Sequence, residues 1–240
     1  MNNTKTPSPF HFKQFSILAN DAGMAVSTDA VLLGAWCDVN NEQRKGLDIG
    51  CGSGILSLML AQRFEHLTID ALDVDPTAIK ATAYNISHSE WPTRIQVVEQ
   101  DVMALSVDKS YDMIICNPPY FTSGETTQNS ERALARHIKD FNHQSLLDKC
   151  HQLLSNIGTA TFILPTVEGD ALIKYALTHG WYLQRQLTVQ TTPRKPIARL
   201  LFSLSKHRCE TEHSTLTIRD SDGEYSHEFV SLTRAFYLKM

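Results

Sequence analysis

The sequence predicts an α/β fold in which helices cover both faces of a mostly parallel β-sheet. Short apolar segments alternate with helical patterns through the middle of the chain, and the connections between them are short. This repetition of strand, helix and strand indicates a parallel sheet, because a crossover helix carries the chain back to the start of the next strand. With 240 residues, the chain suits one globular domain with modest additions.

The first predicted elements surround a glycine-rich segment. Gly46–Ile49 is predicted as a strand and Ile55–Arg63 as a helix, because the apolar residues of the latter suit a helix packed on a sheet. Leu67–Leu72 and Thr77–Ser87 repeat the pattern of strand and helix. These four segments predict the first two strand–helix units of the sheet.

Further elements complete the predicted sheet. The predicted strands are Ile95–Val98, Tyr111–Cys116, Thr159–Leu164, Leu183–Val189 and Leu200–Ser205. A helix is predicted over about Phe141–Leu154. The last thirty residues are expected to add a hairpin that turns at Ser221-Asp222-Gly223.

The composition is that of a protein with an ordinary hydrophobic core. Hydrophobic residues make up 42% of the chain, no apolar run is long enough to cross a bilayer, and no signal peptide is recognisable, so a cytoplasmic location is expected. The five cysteines are scattered singly, which predicts neither disulfides nor a zinc knuckle. His207-x-Cys209-x-x-x-His213 lacks a fourth ligand and is interpreted as a surface segment without metal. The sequence does not specify an oligomeric state, and a monomer is the default expectation.

Positive charges are concentrated in one part of an acidic chain. The formal net charge is −4, yet residues 171–209 contain seven Lys and Arg side chains and no Asp or Glu. Such segregation predicts a basic face for nucleic-acid binding, with Arg194, Lys195 and Arg199 as candidates for phosphate contacts. The alternative is that these side chains point in several directions and form no patch.

A glycine-rich loop follows the first predicted strand. Asp48-Ile49-Gly50-Cys51-Gly52-Ser53-Gly54 runs directly into a helix, and glycines at alternate positions let a ligand lie against the backbone. A dinucleotide fingerprint would need glycine at position 55, which is Ile55, and the Gly-Lys-Ser/Thr of a phosphate-binding loop is absent. The loop therefore predicts a small ligand without a pyrophosphate.

Acidic residues follow the next two predicted strands at the same edge of the sheet. Asp73 lies about 20 residues after the glycines, where a doubly wound fold places an acid for ribose hydroxyls. Asp75 precedes Pro76 and is interpreted as a helix cap. Asp101, after the third strand, is a candidate acceptor for an adenine amino group.

Asn117-Pro118-Pro119-Tyr120 follows the fourth predicted strand. Two prolines fix the backbone and remove two N–H donors, which leaves the Asn117 side-chain oxygen and the Pro118 carbonyl as rigid acceptors. Acceptors bonded to a planar amino group would localise its lone pair toward an incoming methyl group. Tyr120 offers a face on which an extruded base can stack. The turn therefore predicts methylation of an exocyclic amine.

Asp48–Gly54 followed by Asn117–Tyr120 resembles the class I amino-methyltransferases with an Asn-Pro-Pro-Tyr motif, over about residues 10–205. The resemblance implies a Rossmann-like, seven-stranded sheet with one antiparallel strand, and S-adenosyl-L-methionine as cofactor. It also implies that Asp48, Gly50 and Gly52 contact the methionine part, Asp73 the ribose and Asp101 the adenine. Asn117, Pro118 and Tyr120 would hold the target amine, with Asn117 also at the cofactor.

The two ends of the chain carry a narrower resemblance. Phe12–Phe15, Met24–Trp36 and Phe236–Met240 are similar to segments of the bacterial methyltransferases that act on the adenine beside the anticodon of tRNA1(Val). The resemblance implies N6-methylation of adenine 37 in tRNA, with tRNA as partner. Thr28-Asp29 is interpreted first as a helix cap, and the resemblance adds a contact of Thr28 with the cofactor's carboxylate.

Related activities share the same turn and stay open as alternatives. Enzymes of this type methylate guanine N2 in ribosomal RNA, glutamine N5 in release factors and adenine in DNA, and a non-catalytic RNA-binding adaptor is a further possibility. Fewer than fifty residues precede Asp48, and no segment is spare for reading the major groove, which favours a structured RNA.

The predicted organisation has two parts. Residues 1–43 are expected to form an amino-terminal segment whose helix faces cofactor or substrate, and residues 44–240 the methyltransferase domain. Ser123–Ser130 is interpreted as a loop that orders over RNA or as a plain flexible loop. Arg132 and Arg136 are candidates for phosphate contacts or for solvent-facing helix residues.

Overall fold

The structure is a computed structural model that describes residues 8–18, 26–119 and 142–240. The helices are α1 Thr28–Trp36, α2 Ile55–Arg63, α3 Pro76–Ser87, α4 His143–Leu153, α5 Thr166–Thr178 and α6 His227–Thr233, with a 3₁₀ turn at Val102–Ala104. The first strands are β1 Phe10–His11, β2 Ser16–Ile17, β3 Lys45–Ile49, β4 Thr68–Asp73 and β5 Ile95–Glu99. The remaining strands are β6 Tyr111–Cys116, β7 Leu154–Pro165, β8 Tyr182–Gln190, β9 Ile197–Ser205 and β10 Glu212–Thr217.

Among the described residues, eight strands form the main sheet, in the order β10-β8-β9-β7-β6-β3-β4-β5. Strand β9 is antiparallel to both of its neighbours, whereas the other pairings are parallel. The predicted α/β class is therefore confirmed. The expected number of seven strands is wrong, because β10 adds an eighth strand along β8. Strand β10 cannot be recognised from its sequence, because Leu216 is its one buried residue and no alternation of apolar and polar residues marks it.

The carboxyl-terminal hairpin that the sequence predicts does not form as a pair of strands. A turn does form around Gly223, whose N–H donates to the Asp220 carbonyl at 3.1 Å, and Arg219 and Tyr225 pair across it. However, β10 before the turn pairs with β8, and α6 follows it, so the turn does not join two paired strands. Helix α5 and the small hairpin of β1 and β2 were not predicted either, and β7 begins five residues earlier than expected.

Hydrophobic side chains fill both faces of the sheet. One cluster joins α1, α2 and α6 to the sheet, and the other joins α4 and α5 to the opposite face. Helix α1 approaches α2 closely at Gly34, where an added Cβ would lie 2.6 Å from the Met59 sulfur. A sheet buried on both faces explains why its central strands are nearly continuous runs of apolar residues.

The parallel pairing brings the ends of four strands to one edge. Ile49 at the end of β3 pairs with Leu72 of β4 on one side and with Cys116 of β6 on the other. Whatever follows these strands therefore meets at the carboxyl edge, where ligands bind in open α/β sheets. In the three described ranges, none of the helices combines the length and apolar character needed to cross a lipid bilayer.

Candidate active site

The glycine loop turns sharply at the end of β3. Gly50, Gly52 and Gly54 have φ values of 71°, 57° and 79°, in the left-handed region that favours glycine. The N–H groups of Gly50 and Cys51 both donate to the Leu72 carbonyl, at 2.8 and 3.0 Å. A Cβ added to Gly50 would meet no atom within 4 Å, so space for a ligand lies beside this residue.

Asp48 lies beneath the loop and is completely buried. Its Oδ2 atom accepts hydrogen bonds from the Ser57 N–H at 3.1 Å and the Ser57 hydroxyl at 2.7 Å, while its buried Oδ1 has no partner among the described residues. Burial raises the pKa of Asp48 to about 7, against the Ser57 bonds that lower it, and the charge of Asp73 adds to the rise. The fold thus keeps a carboxylate whose ionisation is unfavourable until a cation or polar ligand approaches.

Replacement of Asp48 by asparagine is expected to change how stability depends on pH. Because the folded pKa of about 7 exceeds the unfolded value, the native protein binds more protons between about pH 4 and pH 7 and loses stability as the pH rises. Asp48→Asn removes this loss. The free energy of unfolding of the variant, relative to that of the native protein, should therefore rise by up to about 1.4 kcal/mol for each pH unit in that window.

Urea unfolding at several pH values measures this difference. Asp222→Asn is the control, because it removes one carboxylate from an exposed turn. If the free energy of unfolding depends on pH in the same way for the native and Asp48→Asn proteins, burial does not raise the pKa of Asp48 in the folded protein.

Acidic side chains at the carboxyl ends of β4 and β5 accept backbone N–H groups, and Asp73 among them holds the glycine loop. Asp73 accepts the Gly52 N–H through Oδ2 at 2.9 Å and the Asp75 N–H through Oδ1 at 3.0 Å. Asp75 caps α3 through the Thr77 N–H at 2.8 Å, which confirms its interpretation as a cap. Asp101 accepts the Met103 N–H at 2.9 Å. Each oxygen of Asp73 retains acceptor capacity for a ligand hydroxyl.

The Asn-Pro-Pro turn lies beside the glycine loop. Asn117 and Gly50 each follow a residue of the register pair Ile49–Cys116, and neighbouring strands are about 4.8 Å apart. Asn117 is half-buried, Pro118 buried and Pro119 exposed. Asn117 makes no hydrogen bond through its side-chain amide to any described residue, so its oxygen stays available as an acceptor. Tyr120 lies outside the described residues.

A histidine that sequence reasoning missed contacts the turn. The His143 Nε2 atom donates to the Pro119 carbonyl at 3.2 Å from the first turn of α4. Burial lowers the pKa of His143, which favours the neutral ring. No sequence pattern marks His143, because its contact with residue 119 depends on where α4 packs.

The residue that caps the amino terminus of α1 differs from the one that the sequence predicts. Ser27, not Thr28, caps the helix, and its hydroxyl accepts the Ala30 N–H at 3.1 Å. Thr28 is the first helical residue and is exposed. The Asp29 carboxylate pairs with Arg199 at 2.8 Å, which joins α1 to the start of β9. Arg199 is thus committed to a protein carboxylate in the structure.

The Lys and Arg side chains of residues 171–209 are divided between the two ends of the strands in the sheet. Arg194 and Lys195 lie exposed in the turn after β8, at the same edge as the glycine loop. Arg185 instead approaches Glu212 at 3.4 Å and Asp38 at 3.9 Å, and Lys206 donates to the Leu154 carbonyl at 2.6 Å. Thus one continuous patch does not form from this segment. The candidates Arg132 and Arg136, and the segment Ser123–Ser130, lie outside the described residues.

The Cys and His residues near β10 show no metal cluster. In the part of the chain that the structure describes, no three His, Cys, Asp or Glu side chains come together as metal ligands. Cys209 is exposed, and its sulfur lies 3.7 Å from the Leu183 carbonyl.

Comparison with known proteins places the chain among methyltransferases. Residues 27–144 match the model of the methyltransferase small domain family. A Vibrio campbellii protein named tRNA1(Val) (adenine(37)-N6)-methyltransferase is 49% identical over 231 residues, which are 96% of each chain. An Aliivibrio salmonicida protein of the same name is 45% identical over 232 residues, covering 96% of this chain and 98% of that protein.

Solved structures show the same fold. A protein described as a predicted O-methyltransferase from Agrobacterium tumefaciens superimposes with a TM-score of 0.67 at 15% identity, covering 87% of this chain and 96% of the other. A Listeria monocytogenes protein described as a class I S-adenosylmethionine-dependent methyltransferase gives a TM-score of 0.56 at 14% identity, covering 80% of this chain and 68% of the other. The expected Rossmann-like methyltransferase fold is therefore confirmed.

Proposed function

The chain belongs to the family of tRNA1(Val) (adenine(37)-N6)-methyltransferases, and from this premise we propose that it methylates N6 of adenine 37 in tRNA1(Val). The observation that carries the proposal is the neighbouring position of two turns at one edge of the sheet. The glycine loop follows β3 and the Asn-Pro-Pro turn follows the adjacent β6, so a donor in the first and an amine in the second would meet.

The methyl donor is S-adenosylmethionine, which supplies an electrophilic methyl group when bound. The loop fits such a group, because there is open space beside Gly50 and because the buried Asp48 Oδ1 lacks a partner among the described residues. Asp48 has no exposed surface, so we propose that it acts from beneath the loop through its charge. Asp73 would bind the ribose hydroxyls and Asp101 the adenine amine, with Thr28 near the carboxylate end.

The chemistry assigned to the turn is the activation of a poor nucleophile. The lone pair of an aromatic amine is delocalised into the ring, so the amine needs help to attack. We assign the Asn117 side-chain oxygen and the Pro118 carbonyl as acceptors for its two hydrogens, which localises the lone pair on nitrogen. The proton becomes acidic as the nitrogen forms its new bond, so release to water suffices without a strong base. Tyr120 is the proposed stacking partner of the base.

Proposed RNA contacts come from the turn after β8. Arg194 and Lys195 are exposed at the catalytic edge, so they can contact phosphates of a tRNA whose adenine reaches Asn117. Arg132 and Arg136 are proposed as further phosphate contacts. Arg199 is assigned a different part, because its bond to Asp29 at 2.8 Å ties β9 to α1 and leaves it less available to RNA.

Reversal of both charges, Arg194→Glu with Lys195→Glu, is expected to weaken tRNA binding most strongly at low salt. Each lost phosphate contact reduces the dependence of log K on log salt by about 0.7–0.9, so loss of two contacts should lower the slope by about 1.4–1.8. Filter binding at several salt concentrations measures it. The matched control reverses Lys109 and Arg208, which lie at the opposite edge of the sheet. Equal losses in the two double variants would contradict the assigned surface.

Nucleoside mass spectrometry tests the activity directly. Purified tRNA1(Val) that lacks the modification is incubated with the protein and S-adenosylmethionine, digested and searched for N6-methyladenosine. We expect one methyl group per tRNA, located at position 37 by analysis of fragments. A methylated guanosine, or a protein that binds the donor and tRNA without any transfer, would overturn the proposal in favour of another substrate or of an adaptor.

The chain is assigned two parts. Residues 1–43 are assigned as the segment that presents α1 to donor and substrate, and residues 44–240 as the methyltransferase domain. Since both turns of the proposed site come from one chain, we propose that the protein acts as a monomer. A cytoplasmic location follows from tRNA as the substrate.

A further inference from the structure

Two polar side chains of α3 hold the glycine loop on its inner side. Thr82 and Asn85 lie three residues apart on the helix, so they project from one face, and both are buried, with 0% and 2% exposure. The Thr82 hydroxyl donates to the Gly52 carbonyl at 2.8 Å. The Asn85 amide nitrogen donates to the Ser53 carbonyl at 2.9 Å. Two consecutive carbonyls of the loop are thus attached to α3.

These bonds determine where the loop's N–H groups point. In a trans peptide the carbonyl and the following N–H point in opposite directions, and the described residues contain no cis peptide. Because the Gly52 carbonyl points into α3, the Ser53 N–H points away from that helix. Loss of either bond would leave a buried carbonyl without its partner and free the peptide plane to rotate.

Asn85 has a second set of contacts, with the amino-terminal segment. Its Oδ1 atom accepts the Leu18 N–H at 3.0 Å, and its Nδ2 atom lies 3.4 Å from the Leu18 carbonyl. The side-chain amide therefore pairs with both backbone groups of Leu18, much as a neighbouring strand would. Leu18 follows β2, the second strand of the amino-terminal hairpin.

The hairpin is also attached to the end of the chain, and Phe15 packs near Trp91 with ring centroids 6.2 Å apart. The Lys13 N–H donates to the Phe236 carbonyl at 2.8 Å, and the Lys13 ammonium donates to the Arg234 carbonyl at 2.6 Å. Phe12 packs near Phe15 and Tyr237, with ring centroids 4.7 and 5.8 Å away. Asn85 thus connects the residue that follows this hairpin to the glycine loop through hydrogen bonds.

We propose that Asn85 is a positioning residue that couples the donor-binding loop to the amino-terminal hairpin, so that donor binding strengthens the attachment of Leu18. A ligand that restrains the Ser53 peptide also restrains the Asn85 amide, which then loses less entropy when it binds Leu18. Coupling is reciprocal, so an attached hairpin also favours donor binding. The inference rests on the proposed donor site.

Hydrogen exchange of the native protein tests the coupling. The Leu18 N–H reports the bond itself, and S-adenosylhomocysteine is the probe. Ligand binding slows every amide that exchanges through global unfolding, and the Trp181 N–H, bonded to the Ala176 carbonyl, measures that general effect. In the ligand-free protein Leu18 should exchange faster than Trp181, because the hairpin opens locally. The probe should then slow Leu18 by at least about fivefold, and this slowing is the additional protection of Leu18. A Leu18 rate that the probe leaves unchanged while Trp181 slows, or rates in the ligand-free protein that are equal for the two amides, would overturn the coupling.

Calorimetry with the same probe separates this inference from the proposed function. If S-adenosylhomocysteine does not bind, the donor site itself is wrong. If it binds and Leu18 shows no additional protection, the donor site stands and the coupling is refuted.

Two substitutions in α3 remove different subsets of these hydrogen bonds. At pH 8, Asn85→Asp keeps an acceptor for the Leu18 N–H but loses the donor to Ser53 and the longer contact with the Leu18 carbonyl. Thr82→Val loses only contacts with the loop, to the Gly52 carbonyl and the Cys51 sulfur. Both should weaken binding of the probe by about tenfold, because each orphans a loop carbonyl. At saturating probe, Thr82→Val should keep the additional protection of Leu18 and Asn85→Asp should lose it.

A further variant and two outcomes serve as controls for these substitutions. Thr82→Ser retains the hydroxyl and should restore affinity for the probe. Persistence of the additional Leu18 protection in Asn85→Asp would refute the assignment. If Asn85→Asp does not fold, the comparison of Leu18 with Trp181 in the native protein decides the question.

Discussion

Replacement of Asn117 by alanine is expected to lower turnover by about two to three orders of magnitude, the usual effect of removing a group that stabilises mainly the transition state. Asn117 follows the register pair of Ile49 and Cys116, so its side chain lies near the glycine loop while it takes no part in the described hydrogen bonds. The variant should therefore lose activation of the amine and keep its affinity for S-adenosylmethionine. Single-turnover transfer of a radiolabelled methyl group to tRNA, with calorimetry for the donor, measures both quantities.

Asn142→Ala provides the matched control for Asn117. Asn142 caps α4 by accepting the Ser145 N–H at 2.8 Å, and it is exposed. Its loss should cost about 1 kcal/mol of stability and leave turnover nearly unchanged. Asn117→Ala activity within tenfold of the native value would eliminate the role assigned to its side-chain oxygen.

Replacement of Gly50 by alanine is expected to weaken donor binding by about a hundredfold, as the loss of a few kcal/mol of contacts would. Gly50 has φ 71° and open space where a Cβ would stand, so the methyl group clashes with nothing in the protein. It would occupy the space assigned to the donor. Left-handed backbone at alanine costs only about 1–2 kcal/mol, so the variant should still fold.

Gly223→Ala separates backbone strain from the loss of donor space. Gly223 has φ 91°, and a Cβ added there would also meet no atom within 4 Å, but this glycine lies in the turn before α6. The two variants should lose similar stability in urea, while only Gly50→Ala should lose affinity for S-adenosylmethionine by calorimetry. Equal affinities would show that the open space beside Gly50 does not receive the donor.

Elements with a strong local pattern were predictable from the sequence. Helix α2 and strand β6 have the predicted bounds, because continuous apolar runs next to glycine or proline turns leave few alternatives. Strand β10 and helix α6 were not predicted. Their residues are mostly exposed or polar, and pairing with β8 or packing at the end of the chain decides their conformation.

Some features of the candidate site were likewise predictable from the sequence, and others were not. The glycine loop and the Asn-Pro-Pro turn were found because their chemistry depends on residue types at short spacing. Ser27 was missed as the cap of α1 because Thr28 is an equally good capping residue by type, and only the backbone conformation distinguishes them. The contact of His143 with the turn depends on helix packing.

By itself, the sequence determined the order of the central strands β3–β9 and of helices α1–α4, the two turns and the family to which they belong, since these depend on local periodicity and on residues close in the chain. Only the tertiary structure decided which distant groups meet. Arg199 binds Asp29 across 170 residues, and Asn85 binds Leu18 across 67. Such pairings follow from how the sheet and helices pack, and no short segment of sequence encodes them.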